Sequence, residues 1–249
     1  MTTAILANNA ALLAVAMLVL WAISARIRDV SFIDSFWAFG MAMLAVSTWL
    51  QAEGSPDRMA LITGLTLLWG LRLSLHLFTR WRTEGEDPRY RRIIGHAMEK
   101  KGWSFARTAL VQVFLLQGVL LFIVCLPAQL GQIPAEPARI GLLGWIGCAV
   151  ALTGIAFETV GDWQLRRFRA DPAMKGKVLD TGLWRYTRHP NYFGDACTWW
   201  GIWLVSAETM LGLYAVVGPV LEHSLKKRRP GYEDYIRRTS SFFPWPPRR

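Results

Sequence analysis

The chain has 249 residues, of which 53% are hydrophobic and only 18% charged, with 13 Trp and a formal net charge of +10. So high an apolar fraction excludes a soluble nucleic-acid binder despite the basic excess, and the length leaves no room for a separate soluble domain beside a membrane one. Cys125, Cys148 and Cys197 lie inside apolar runs without metal-type spacing, so they read as buried thiols and no metal site is expected.

Taken in chain order, apolar runs fall at about 5–25, 32–51, 59–79, 106–128, 140–160, 192–206 and 208–222, near the roughly 20 residues a helix needs to cross a bilayer. The first run has no basic region before it and no cleavage site after it, so it is expected to stay as a span rather than leave as a signal peptide. Charge placement supports the count. Arg26 and Arg28 follow the first span, eight basic residues lie between Arg80 and Arg107, seven between Arg166 and Arg188, and eight between Lys226 and Arg249. The intervening loops carry one Arg (Arg58, then Arg139) or none. Alternation of basic and nearly uncharged loops predicts seven transmembrane helices with the N-terminus outside and the C-terminus cytosolic. The expected fold class is all-α: one polytopic membrane domain over 1–249, in a bilayer whose lipid is its main partner, with a monomer as the expected state and no nucleic acid bound.

Polar residues inside the spans are costly and tend to face a cavity or a partner. The third span places Trp69, Arg72, His76 and Arg80 at steps of three, four and four, one face of a helix. Arg80 can snorkel to the surface, whereas Arg72 lies about two turns deeper. Asp34, in Asp29-Val-Ser-Phe-Ile-Asp-Ser-Phe-Trp37, is the acidic counterpart. Two readings stand: a structural Asp34–Arg72 ion pair, or a polar active-site cavity, which the number of ionisable groups on the stripe favours. The third loop comes next with Gly85-Glu-Asp-Pro-Arg-Tyr-Arg-Arg92, acid then base around a proline turn, a segment suited to hold a ligand through Asp87, Arg89 and Tyr90.

The fifth span ends in a second stripe, Glu158, Asp162, Arg166 and Arg169. It reads either as a solvated ladder of i,i+4 pairs or as a ligand-facing edge, since a carboxylate at the membrane border is otherwise a liability. The connection 171–182 is rich in Gly, Pro and Lys, fit to wrap a ligand. Then comes Thr181-Gly-Leu-Trp-Arg-Tyr-Thr-Arg-His-Pro-Asn-Tyr-Phe-Gly-Asp195. Pro190 lacks an N–H and pushes His189 out of helical angles, so a helix is predicted to start at Pro190 or Asn191. Free N–H groups, the positive dipole end, Arg185, Arg188 and His189 together make that corner attractive to an anion such as phosphate. A positive-inside topology signal explains the same charges. In the tail, 221–235 reads as an amphipathic cytosolic segment, Glu222 and His223 lie close enough to the last span to reach a cavity, and Phe242-Phe-Pro-Trp-Pro-Pro247 is expected to dock on the membrane surface.

No glycine-rich strand–helix fingerprint and no phosphate-binding GxxxxGK[ST] loop is present, so any dinucleotide is not held by a Rossmann domain. Arg188-His-Pro-Asn-Tyr-Phe-Gly-Asp195, preceded by Gly182-Leu-Trp-Arg-Tyr186 and followed by Trp199, resembles the C-terminal signature of the steroid 5α-reductase family, shared with the membrane sterol C14-reductases. The resemblance extends to Asp162, Leu165, Arg166 and Arg169 and to Tyr232-Glu-Asp-Tyr235, and 140–249 carries its cofactor-binding part. Phe32-Ile-Asp34, Trp69-Gly-Leu-Arg72 and Glu86-Asp-Pro-Arg-Tyr90 resemble the bacterial branch, which points to a bacterial inner membrane. The N-terminal half is otherwise only weakly similar to the steroid enzymes.

The resemblance implies a seven-helix membrane fold and NADPH-dependent reduction of the 4-ene of a 3-oxo steroid. By position it puts Asp162, Arg166, Arg169, Lys177, Tyr186, Asn191, Asp195 and Trp199 on the cofactor, beside Arg188 and His189, and matches Arg72 to a cofactor-contacting arginine. Asp34 falls where the family has a glutamate near the steroid 3-oxo group. An ungapped match places Trp69 where the family carries its proton-donating tyrosine, and an indole has no phenolic proton to give. Asp34 and His76 are therefore the expected acid pair, with Trp37, Trp69 and His223 on the substrate side. Hydride addition to an enone builds charge on the carbonyl oxygen, so a donor aimed there lowers the barrier. A lipophilic, steroid-like enone would enter from the bilayer. Two rival readings are an S-adenosylmethionine-dependent membrane methyltransferase, which also carries Arg-His-Pro-x-Tyr and a Glu near the last span, and a non-catalytic membrane binding protein. The density of arginine favours the reductase, since S-adenosylmethionine has no 2′-phosphate to hold.

Overall fold

The computed structural model describes residues 1–215, 235 and 238–247. Its helices are α1 Thr2–Ile27, α2 Ile33–Trp49, α3 Pro56–Glu84, α4 Pro88–Lys101, α5 Phe105–Val124, α6 Leu126–Leu130, α7 Leu142–Ala170, α8 Pro190–Ser206 and α9 Met210–Leu213. Among the described residues the one β pairing is an isolated bridge between Thr187 and Ser240. α1, α3, α5 and α7 are long and apolar enough to cross a bilayer, so the protein is an all-helical polytopic membrane protein. These four correspond to the first, third, fourth and fifth expected spans. α2 and α8 have 17 residues each, somewhat short of a straight span, and the run at 208–222 lies largely outside the described residues.

Local sequence explains where the helices begin. α3, α4 and α8 each start on a proline, whose missing N–H costs nothing in a first turn that has no acceptor for it. The Asp87 side chain accepts from Arg89 N at 2.8 Å and so caps α4. α4 ends at Gly102, whose φ of 63° is the left-handed geometry glycine tolerates best.

The described residues fold as two compact units, residues 1–145 with 202–215, and residues 146–201 with the described part of 218–249. In the first unit α2 packs along α3, burying Ile33, Ala38, Met41 and Leu44 with Ile62, Leu65 and Trp69. Gly70 lets the two backbones approach, since a Cβ there would stand 2.7 Å from Ala38 O. Buried polar groups are tied to one another, as a lipid environment demands. Asn9 Nδ2 donates to Thr48 Oγ1 at 2.8 Å and to Gln129 Oε1 at 2.9 Å. Arg58 is fully buried and gives its guanidinium to the carbonyls of Gly131 at 2.9 Å, Pro137 at 2.7 Å and Pro134. It is an internal clamp, not a loop charge, which leaves its loop without any exposed basic residue to weigh on topology.

In the second unit α7 and α8 run antiparallel with glycines along their contact. A Cβ on Gly154 would lie 2.5 Å from Gly194 O and from Thr198 N, and one on Gly201 would lie 2.5 Å from Gly147 O. Gly147, Gly154 and Gly161 recur every seven residues on α7, as Gly194 and Gly201 do on α8. The small-residue faces bring the helices to backbone contact.

Candidate active site

In the first unit, the Asp34 carboxylate in the first turn of α2 accepts from Tyr90 Oη at 2.5 Å and pairs with Arg89 at 3.4 Å. Arg89 is itself held by Asp87 at 2.8 Å. Tyr90 Oη also accepts from Gln117 Nε2 at 2.8 Å. Burial first, then the Asp34 charge and hydrogen bond, push the Tyr90 phenol above its usual value, so it keeps its proton throughout the neutral range. For Asp87, burial alone would raise the carboxyl, but the hydrogen bonds and charge of Arg89 outweigh it and hold the group below its ordinary range.

The loop carrying this cluster is fixed at its base. Asp29 accepts from Ser31 N at 2.7 Å, from Ser31 Oγ, and from Trp81 Nε1 at 2.8 Å. Ser31 Oγ in turn accepts from Asp87 N at 3.0 Å. The end of α3 and the start of α4 are thus tied to the residues just before Asp34.

Asp34 pairs with Arg89 and Tyr90 and not with Arg72, so the expected alternative of an Asp34–Arg72 ion pair does not form. The α3 stripe is otherwise as the spacing predicts. Trp69 is enclosed, and Arg72, His76 and Arg80 are half-buried, while Leu68, Leu71 and Leu75 are exposed. An apolar cleft of about 280 Å³ opens nearby on the same unit, walled by Ile23, Ile27, Phe32, Phe36, Phe78 and Trp81 among others. Neither Trp37 nor Trp69 lines it; Trp37 is half-buried. His223 lies outside the described residues, as does Glu222.

The second unit gathers most of the residues matched to a cofactor. Glu158 and Asp162 are buried, while Arg166 and Arg169 farther along α7 and Lys177 in the next loop are exposed. Asp162 Oδ1 accepts from Asn191 Nδ2 at 3.3 Å, joining α7 to the first turn of α8. α8 begins at Pro190. His189 stacks on Tyr192 at 5.5 Å with planes 10° apart. Asp195 is half-buried and Trp199 buried. The Arg188 Nε is enclosed and meets no acceptor among the described residues.

Residues 182–188 are braced from two sides. Leu183 N donates to Gln164 Oε1 at 3.0 Å and Trp184 Nε1 to Gly161 O at 3.1 Å. From the tail, Tyr235 Oη donates to Trp184 O at 2.6 Å. Arg188 N donates to Ser240 O at 2.9 Å and Trp245 N to Tyr186 O at 3.0 Å. Phe193 meets Phe242 edge-on at 5.7 Å. Phe242 of the closing aromatic run thus packs on its own unit, while Phe243 and Trp245 remain exposed.

These residues fit a phosphorylated nucleotide: exposed cations for phosphates, an enclosed guanidinium nitrogen with no acceptor among the described residues, and the buried Asp162 with half-buried Asn191 and Asp195 for hydroxyls and amides. The Tyr90–Gln117 contact is what reading the sequence missed. Gln117 is one of two amides, with Gln112, in an apolar span, and its intramembrane position was the available signal.

Fold and clusters together define a polytopic helical membrane protein with a polar, acid-bearing interior. Residues 20–239 match the family described as Protein of unknown function (DUF1295), and the chain belongs to that family. An uncharacterized protein of Schizosaccharomyces pombe is 22% identical over 265 residues, covering 91% of this chain and 76% of the relative. A Delta(14)-sterol reductase of Ascobolus immersus is 35% identical over 111 residues, 39% of this chain and 25% of that enzyme. No solved structure matches the chain.

Proposed function

We propose that this protein is a membrane-embedded, NADPH-dependent reductase of a lipophilic enone, with a 3-oxo-4-ene steroid as type substrate. The observation that carries the proposal is the Tyr90–Asp34 hydrogen bond of 2.5 Å, a phenol–carboxylate pair on an apolar unit. The partial similarity to a sterol reductase supports the same class of reaction. NADPH, when bound, would be the source of the hydride for the β-carbon of the enone. Arg166, Arg169, Lys177 and Arg188 would hold its phosphates, and Asp162, Asn191 and Asp195 would take its hydroxyl and amide groups, with Tyr186, His189 and Trp199 as further contacts. With substrate bound, the Tyr90 hydroxyl would turn its one hydrogen from Asp34 to the substrate oxygen on which charge develops and then give it that proton. Asp34 orients that phenol, and Arg89 with Asp87 orients Asp34, which moves this loop from cofactor binding to the acid. His76 lines the same unit. The 280 Å³ cleft is where an apolar substrate leaves the lipid, in a bacterial inner membrane with the nucleotide residues on the cytosolic side.

The test is purification in detergent, identification of any co-purifying nucleotide, and NADPH oxidation with a 4-ene-3-oxo steroid. Steroid-dependent oxidation is expected. Binding of S-adenosylmethionine with no affinity for NADPH would refute the reductase and favour a methyltransferase.

A further inference from the structure

α5 is not a uniform helix. It carries a π-helical turn, Leu110–Leu115, within an otherwise apolar span. A π-turn adds one residue to the register and re-aims the side chains beyond it, and such turns gather at functional sites. Two residues past this one stands Gln117, half-buried among Leu115, Leu116, Val119 and Leu120, all exposed on the outer face of the helix. An amide at membrane depth is costly unless satisfied. Gln117 finds its partner on a phenol, since its Nε2 donates to Tyr90 Oη at 2.8 Å. The same oxygen sends its own hydrogen to Asp34 at 2.5 Å, so Oη is gripped from both sides.

A donor on a phenol oxygen favours the phenolate over the phenol. That matters only while Tyr90 gives its proton away: the O–H bond of Tyr90 breaks, an O–H bond forms on the substrate oxygen, and a negative charge is left on Oη. We infer that Gln117, aimed by the π-turn, is a positioning residue that stabilises the charge left on Tyr90 as its proton is transferred. The inference rests on the reading of Tyr90 as the proton donor. Burial raises the Tyr90 phenol most, and the Gln117 bond is one of the influences that pull it back.

Gln117→Met keeps the length and removes the donor. With NADPH and a 4-ene-3-oxo steroid, kcat is expected to fall about a hundredfold, as when one oxyanion-type donor is lost. KM should stay within about twofold, and the solvent deuterium isotope effect on kcat should rise as proton transfer becomes slower. In parallel, the ζ-carbon NMR signal of labelled Tyr90, assigned by its loss in Tyr90→Phe, should shift in Gln117→Met whether or not the protein is a reductase. An unmoved Tyr90 signal overturns the contact and with it the inference. A shifted signal with kcat and isotope effect unchanged in an active enzyme overturns the inference alone. A shifted signal in a wild-type protein that reduces no enone brings down the reductase reading and the inference resting on it.

Discussion

Replacing Gly194 with alanine tests the α7–α8 seam. A Cβ at that position would stand 2.5 Å from Glu158 N and 2.6 Å from Gly154 O, against 3.4–4 Å for ordinary contact. Both obstacles are backbone atoms, so no rotamer change relieves them and the helices must part. Overpacking of this kind costs roughly 1–3 kcal/mol, and two backbone clashes put the substitution near the upper end. Gly64→Ala is the matched control, because a Cβ on Gly64, inside α3, meets nothing within 4 Å. Both substitutions gain about the same 1 kcal/mol of helix propensity, so that contribution cancels in the comparison. The expected gap between the variants is therefore about 3 kcal/mol, Gly194→Ala being the weaker. Equilibrium unfolding in mixed detergent–SDS micelles, followed by circular dichroism, measures it. Equal stability of the two variants would show that the helices do not meet at their backbones, and the account of the seam would fall.

Tyr90→Phe should lower kcat at least about a hundredfold with NADPH affinity intact; steady-state turnover and a fluorescence titration of NADPH separate the two effects. Asp162→Ala removes the acceptor of Asn191 and should weaken NADPH about tenfold, the equivalent of one hydrogen bond of about 1.4 kcal/mol, read in the same titration. Asp87 has its carboxyl below the ordinary value of 3.8 in the folded protein, so it binds protons less readily there than in the unfolded chain. Its stabilising contribution is complete above the unfolded value and disappears as pH falls through the lower folded one. A thermal-unfolding series descending through pH 4 should therefore fall less steeply for Asp87→Asn than for wild type, and parallel curves would remove Asp87 from acid stability.

Much of the helical frame is legible in the sequence because it rests on local rules. Pro56, Pro88 and Pro190 open helices where a missing N–H is harmless, and the 69–72–76–80 spacing marks the inward face of α3. The buried edge of α7 at Glu158 and Asp162 obeys the same period, although Arg166 and Arg169 turn outward as the helix leaves the apolar layer. Contact between polar groups far apart in the chain is not legible in this way. Asp34 and Tyr90 are 56 residues apart, and nothing periodic links them. Charge alone matches Asp34 to Arg72, when a nearer cation on α4 takes it. Arg58 looks like a loop charge because its three acceptors are backbone carbonyls, which every residue has and no sequence pattern advertises. The tail's attachment is hidden for a related reason, since it is made by main-chain bonds to 186–188 that no sequence pattern advertises.

The sevenfold glycine spacing also sets how the second unit can move. Gly147 faces Gly201, Gly154 faces Gly194, and Gly161 faces the Pro190–Asn191 start of α8, so a slide of α8 along α7 finds no resting point until the next glycine alignment, seven residues or about 10 Å away at 1.5 Å per residue. Small axial shifts are blocked by backbone against backbone. Asp162 and Asn191 are held as on a notched rail, their separation set by helix backbones and not by adjustable side-chain packing.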